Sequence, residues 1–440
     1  MGRTLTLLRL GVKYLYCYRR RYIFLMAALV FSFAMVTLIT SLKDGMRSNL
    51  YHTAQLHYSG DIVAMGYASH SVQMHRLGQA ELAALHEAVK VADIRPSRTV
   101  LRTLHFQTGI AHFNGATVLL RYLTGCDWDE ERELFSRMTF DETPDLFPGD
   151  DGIFLSKATA QILGALMGDS IILEVETQYG QKNTQAFIVK GIIHDTSIFG
   201  YYKAYISRLS LNRLMLFDDD DASVLGLFFE NESTDAQTIN RKRARLHEAL
   251  EGRVQLHPLV NNREEFAKER RPPSSGIAIS LYTLAVYLSE VSNLLAAMNI
   301  MTYFLYGIML VIILVSASVT YRLILYERTQ ELGTMRAIGF YGKDLRLVLW
   351  AEIAGVGAIS LVLGFALALA LSWGISHLSF AWFPSFEIFM RNGKLTALYL
   401  TGTVLVNMAA VFLLLAVAVL FPSFRASRKN LPALLRGEPL

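Results

Sequence analysis

Four stretches of this chain are too apolar to face water for their whole length. Residues 22–42, 353–386 and 395–424 carry no charged side chain, and between Arg271 and Arg322 the only charge is Glu290. Within a bilayer every backbone N–H and C=O must be satisfied inside the spanning segment, so such a run reads as a helix of about 20 residues. We place four transmembrane helices at 22–42, 300–321, 351–376 and 397–421. Charged residues still make up 18% of the chain, and they lie outside these runs, which requires a sizeable part in water. The expected fold class is a membrane protein with four transmembrane α-helices and a large α+β extracytoplasmic domain, residues 43–275, inserted between helices 1 and 2.

The basic residues set the orientation. Residues 1–21 hold Arg3, Arg9, Lys13, Arg19, Arg20 and Arg21 and no acid. The 322–350 segment holds Arg322, Arg328, Arg336, Lys343 and Arg346, and the 422–440 tail holds Arg425, Arg428, Lys429 and Arg436. The 377–396 loop holds only Arg391 and Lys394. The positive-inside rule then expects both termini and 322–350 in the cytoplasm, with 43–275 and 377–396 across the membrane. The RKRAR run (241–245) is no objection, because long domains cross largely regardless of charge. The first apolar run is too long for a signal-peptide core, and SLKDGM follows it with no A-x-A site, so an uncleaved anchor is expected. Cys17 and Cys126 then lie on opposite sides and cannot pair.

Residues 4–20 place Leu5, Leu8, Val12 and Leu15 on one helical face and Arg9, Lys13 and Arg20 on another, an interfacial amphipathic helix within the 1–21 cytoplasmic segment. In the external domain, 80–92, 156–169 (ending at Gly168) and 233–252 (capped by Ser233 or Thr234) read as helices, and 116–125, 170–177 and 185–195 as strands. Two subdomains are expected. After the break RPPSSG (271–276), the uncharged run reads as one helix over 276–321, about 70 Å long, a stalk continuous with the second span. Small residues Ala354, Gly355, Gly357, Ala358 and Gly364 allow close helix approach in the third span, either within the chain or between two copies.

Enzyme motifs are missing. The sequence has no G-x-x-x-x-G-K-[ST], H-E-x-x-H, C-x-x-C or G-x-S-x-G, so no catalytic or metal-binding residue is assigned. His194–Asp195 and the acid run Asp218–Asp221 read as a strand end and a solvated loop, because neither has metal-ligand spacing. The spans hold one ionisable residue, Glu352, which argues against an ion-coupled pathway. The informative segment is YERTQELGTMRAIGF (326–340): short, mixed in charge and helical in pattern. Arg328 and Glu331 are spaced to pair, and Leu332, Met335 and Ile338 form an apolar stripe suited to gripping another protein.

ERTQELGTMRAIGFYGKDLRLVLWAE (327–352) resembles the loop motif of MacB/FtsX-superfamily ABC transporter permeases, E-R-x-x-E-I-G-x-x-R-A-I-G followed later by E. Glu327, Arg328, Glu331, Gly333, Arg336, Ala337, Ile338, Gly339 and Glu352 fill those places, and Leu332 replaces the Ile. FPSFRASRKNLPALLRGE (421–438) resembles the family's C-terminal motif through Pro422, Arg425, Ala426, Pro432, Leu435, Arg436 and Glu438. GATVLLRYLTGCD and LGALMGDSIILEVE are similar to segments of the lipoprotein-releasing (LolC/LolE-type) branch. The resemblance implies a cell inner-membrane permease subunit that works by mechanotransmission. It also implies a second permease copy or paralogue, and a separate ABC ATPase dimer that carries ATP and Mg. Glu327, Arg328, Glu331, Leu332, Gly333, Arg336, Ile338 and Gly339 would couple to that ATPase. The implied cargo is a lipoprotein taken from the membrane lipid and handed on to a periplasmic carrier, with no nucleic acid involved. The turn QYGQKNT (178–184) is short where the carrier-recruiting subunit has a hook-like loop, which departs from that subunit. A MacB-like exporter of a periplasmic peptide, toxin or drug and an FtsX-like scaffold regulating a wall hydrolase stay open.

Overall fold

The computed structural model describes residues 13, 19–68, 75–144, 147–194, 202–229, 236–262, 265, 276–380, 389–390 and 394–428. Most of the expected helix of residues 4–20, the Ser233 or Thr234 cap, and Pro432, Leu435, Arg436 and Glu438 lie outside these. The chain divides into two compact units: Met1–Met46, Leu295–Ser379 and Leu395–Leu440 in the first, and Arg47–Leu294 with Phe380–Lys394 in the second.

Helix α1 (Arg19–His57) has 39 residues and is about 58 Å long, far longer than its apolar part. Hydropathy marked only the segment that needs lipid, and the helix continues through Lys43, Asp44 and Arg47. The second unit then runs β1 (Ile62–Ala68), α2 (Gln79–Val91), β2 (Arg98–Phe113), β3 (Ala116–Cys126), α3 (Arg132–Arg137), β4 (Gly152–Ser156), α4 (Lys157–Leu163), β5 (Ser170–Glu176), β6 (Lys182–Ile193), β7 (Lys203–Ser207), α5 (Arg208–Met215), β8 (Val224–Phe228), α6 (Ala236–Leu250), β9 (Gln255–Leu256), β10 (Ile277–Thr283) and α7 (Leu284–Tyr287). The order is β3-β7-β4-β6-β5-β2-β8-β1-β10-β9, and β2 also pairs with β3. Six strands, β3 through β2, therefore close on themselves. Their inward residues, among them Leu120, Leu155, Leu173, Phe187 and Ile206, form one core with Leu163 of α4 and Leu211 of α5. The remaining strands make an open sheet covered by α2 and α6, where Leu85, Leu225, Leu246 and Ile279 form a second core. Strand β2 belongs to both.

Two expectations are corrected here. The stalk does not begin at 276. Ile277–Thr283 is a strand that pairs antiparallel with β1 from Ile62↔Thr283 to Ala68↔Ile277, and Gly276 enters it at φ 74°. Six of its seven residues are buried, and a fully buried strand is as charge-free as a membrane helix, so hydropathy alone could not separate them. The helix reading of 156–169 was too long: α4 stops at Leu163, where Gly164 adopts a left-handed C-cap at φ 68° that terminates the helix.

The first unit continues with α8 (Ser292–Glu327), α9 (Thr329–Ala337), α10 (Gly342–His377) and α11 (Thr401–Arg428). Among the described residues, four helices are long and apolar enough to cross a membrane: α1, α8, α10 and α11. Leu25, Leu29 and Phe33 of α1, Ile313 and Tyr321 of α8, Leu349 and Ile353 of α10, and Val411 and Leu415 of α11 share one core. The small residues of the third span partly serve this packing. A Cβ on Gly364 would stand 2.9 Å from Phe33 Cδ1, and one on Gly357 would stand 2.9 Å from Leu415 Cδ2.

Candidate functional site

The site is built where α8, α9 and α10 meet. Helix α8 ends at Glu327, and one residue, Arg328 (φ −102°, ψ 10°), breaks the chain before α9 starts. The Thr329 hydroxyl donates to the carbonyls of Leu325 (3.2 Å) and Tyr326 (2.8 Å), which the end of α8 would otherwise leave without an intrahelical partner. Leu332 and Met335 turn into the bundle core beside Tyr22, Leu345 and Leu349. At the far end Gly339 takes φ 102°. Its N–H donates to Arg336 O at 3.1 Å and the Phe340 N–H donates to Met335 O at 3.2 Å. This pair of bonds is a Schellman C-cap, which favours glycine at that place. Phe340 packs back on the bundle core, and α10 starts with the Asp344 carboxylate accepting the Tyr341 N–H at 3.1 Å.

Arg328, expected among the residues that couple to an ATPase, does not face outward. It is 1% exposed, and Glu352 is 0% exposed. Arg328 Nη1 donates to Glu352 Oε2 at 2.7 Å and lies 3.3 Å from the Tyr22 hydroxyl, which itself donates to Glu352 Oε2 at 2.7 Å. Arg328 Nε meets Glu331 Oε2 at 3.0 Å, so the i, i+3 pair read in the sequence forms. One guanidinium thus ties the start of α1, the root of α9 and the first third of α10 together. A buried charge requires such partners, and Glu352, the lone ionisable residue of the spans, has its counter-ion here. Tyr22 was missed because a tyrosine at the edge of an apolar run reads as an interface residue.

The other expected residues divide by face. Gly333 is buried with Leu332, Arg336 is half-buried, and Glu327 and Gly339 are exposed. Ile338 leaves the stripe expected with Leu332 and Met335: it sits at the C-cap and is 81% exposed. Beside it, Tyr341 is 70% exposed and was not among the expected residues. Segment 329–341 therefore has an inward side locked by ions and packing, and an outward tip of Ile338 and Tyr341. Pro422 lies inside α11, and Arg425 follows in the same helix.

A second polar seam joins α1 and α11 elsewhere in the bundle. Asn407 donates to the Thr40 hydroxyl at 2.8 Å, Thr403 donates to Asp44 at 3.0 Å, and the Leu398 N–H donates to Ser41 O at 2.9 Å. A Cβ on Gly45 would fall on the Thr396 carbonyl oxygen. Among the described residues no group of three His, Cys, Asp or Glu side chains could hold a metal ion. His194 is engaged by Asp141 and Lys157. The acid run is more anchored than expected: Asp221 is buried against Arg76 at 2.7 Å, and Asn212 donates to the carbonyls of Asp218, Asp219 and Asp221.

Residues 303–431, which take in α9 and Glu352, match the FtsX-like permease C-terminal family. No curated protein matches the chain. Among solved structures it is similar to the periplasmic region of MacB from Actinobacillus actinomycetemcomitans, at 9% identity and TM-score 0.31 over 54% of this chain and 95% of that one. It is also similar to a domain of a putative permease protein from Porphyromonas gingivalis, at 10% identity and TM-score 0.26 over 51% and 89%.

Proposed function

We propose that this chain is the permease subunit of an ABC transporter that works by mechanotransmission, with the 329–341 tip seated on a separate ATPase dimer in the cytoplasm. The observation that carries the reading is the two-sidedness of that segment. Its inner side is fixed to α1 and α10 through Arg328, Glu352 and Tyr22. Its outer side offers Ile338, 81% exposed, and Tyr341, 70% exposed, a surface suited to contact with a partner. A push at the tip would reach two membrane helices at once. The match of residues 303–431 to a permease family supports the same reading. ATP and Mg would belong to the partner, and a second permease copy would complete the membrane part.

The cargo we propose is a lipoprotein drawn from the inner membrane and passed towards the outer membrane, on the likeness of residues 115–127 and 163–176 to the lipoprotein-releasing branch. Strands β5 and β6 are joined by a tight turn, closed by Thr177 N–H to Gln181 O at 2.7 Å, so a carrier would have to dock elsewhere or on the paired subunit. The test is purification in mild detergent with every accompanying protein identified. An ABC ATPase should copurify, and Ile338→Asp and Arg336→Glu should release it while the chain stays inserted. Absence of any ATPase would overturn the permease reading. If the ATPase is present but depletion leaves no lipoprotein stranded in the inner membrane, the cargo assignment falls alone.

A further inference from the structure

Arg102 of β2 and Glu131, just before α3, are buried to 1% and 0% exposure. Arg102 Nη1 donates to His57 O at 2.9 Å, and Nη2 donates to Leu56 O at 2.6 Å and to Glu131 Oε2 at 2.8 Å. Nε closes on the other Glu131 oxygen. Leu56 and His57 are the last residues of α1, whose final carbonyls have no partner within the helix. One planar guanidinium therefore takes two of these carbonyls at the negative end of the helix and is neutralised by a bidentate carboxylate.

The surrounding turn is fixed as tightly. Gly60 N–H donates to Gln55 O at 2.7 Å and Tyr58 N–H to Ala54 O at 2.8 Å. Gln55 Nε2 and the Phe229 N–H both donate to Asp61 Oδ2 at 2.7 Å. Gly60 stands at φ 119°, where an added Cβ would lie 2.6 Å from Leu227 O. The returning chain joins here too: Leu284 N–H donates to Asp61 O at 3.0 Å, and the Tyr287 ring stacks on Tyr58 at 4.5 Å and 10°.

A buried ion pair is a poor choice if only stability is needed, since apolar residues of the same bulk do as well. What the fork adds is direction: it accepts the end of α1 in one orientation only. We infer that Arg102 is a positioning residue that fixes the last turn of α1 to β2, the strand shared by the closed ring and the open sheet, so that helix end and sheet move as one body. The joint stands on the geometry alone. Its use, delivering displacement of α1 to both cores, rests on the permease reading above.

Hydrogen exchange on the full-length protein in detergent tests the joint without any partner, so its failure and that of the permease reading are separable. In the wild type the Tyr58 and Gly60 amides should exchange as slowly as those of β1 and β2. Exchange at those two amides about 100-fold faster than in the strands would overturn the proposal. In Arg102→Met/Glu131→Leu, which keeps the bulk and removes the charges, exchange at Tyr58 and Gly60 should rise about 30-fold or more while the strand amides hold. An unchanged rate in that folded variant would also overturn it. Should the double variant not fold, the wild-type comparison decides.

Discussion

Glu352→Leu perturbs the bundle at the buried Arg328–Glu352 ion pair. The substitution removes the single oxygen that accepts both Arg328 Nη1 and the Tyr22 hydroxyl, each at 2.7 Å. Arg328, 1% exposed, loses its fully buried counter-ion and keeps the neutral Tyr22 hydroxyl at 3.3 Å and Glu331, whose side chain is 34% exposed. Removing one partner of a buried pair costs about 3–5 kcal/mol, because the remaining charge is stranded away from water. Tyr22→Phe removes one hydrogen bond to a charged group and should cost about 1.5–3 kcal/mol. Arg328→Met/Glu352→Leu removes both charges together and should lie within about 1 kcal/mol of wild type. The two sites are therefore coupled by about 5 kcal/mol or more. The assay is equilibrium unfolding in mixed micelles, followed by tryptophan fluorescence, for the four corners of the cycle. Single variants that each cost under about 1 kcal/mol, or a double variant as unstable as their sum, would refute the reasoning.

Gly339→Ala places a Cβ where φ is 102° and should cost about 1–2 kcal/mol, seen as a lowered unfolding midpoint. Gly364→Leu drives a side chain into Phe33 and the Val30 carbonyl, both 2.9 Å from the new Cβ, and should destabilise the bundle by about 1–3 kcal/mol or more in the same assay. Burial, with Glu131 nearby, pushes the Cys126 thiol well above its ordinary pKa, so little thiolate exists at pH 8. Cys126 should react with a maleimide on the order of 100-fold more slowly than in the denatured chain, and equal rates would contradict its burial. Arg76→Ala should loosen the 218–221 loop, giving faster protease cleavage there with the strands of the closed ring intact.

The sequence exposed what depends on lipid and concealed what depends on contact. Charge-free length was enough to locate α1, α8, α10 and α11, because only a helix can carry such a run across a bilayer. The Arg328–Glu331 spacing was legible as a helical pair, since it is local. That Arg328 turns inward was not, because its main partners, Glu352 and Tyr22, are 24 and 306 residues away along the chain. Strand β10 was read as helix for the related reason that burial on both faces erases period-two alternation. The shared strand β2 went unread as well: its sequence, RTVLRTLHFQTGIAHF, mixes charged and apolar residues, and Arg102 within it is satisfied only by groups brought in from α1 and the 126–131 turn.

The neighbouring register of β1 and β10, with Ile62 opposite Thr283, brings the start and finish of the sheet-bearing unit side by side. A module whose two ends lie in adjacent strands is topologically a cassette. It can grow by insertions at its distal loops, or be exchanged whole for another head, without altering the spacing of the two points where it joins the rest of the chain. Such a plan lets the sheet-bearing head diverge in sequence and size while its two points of attachment stay where they are.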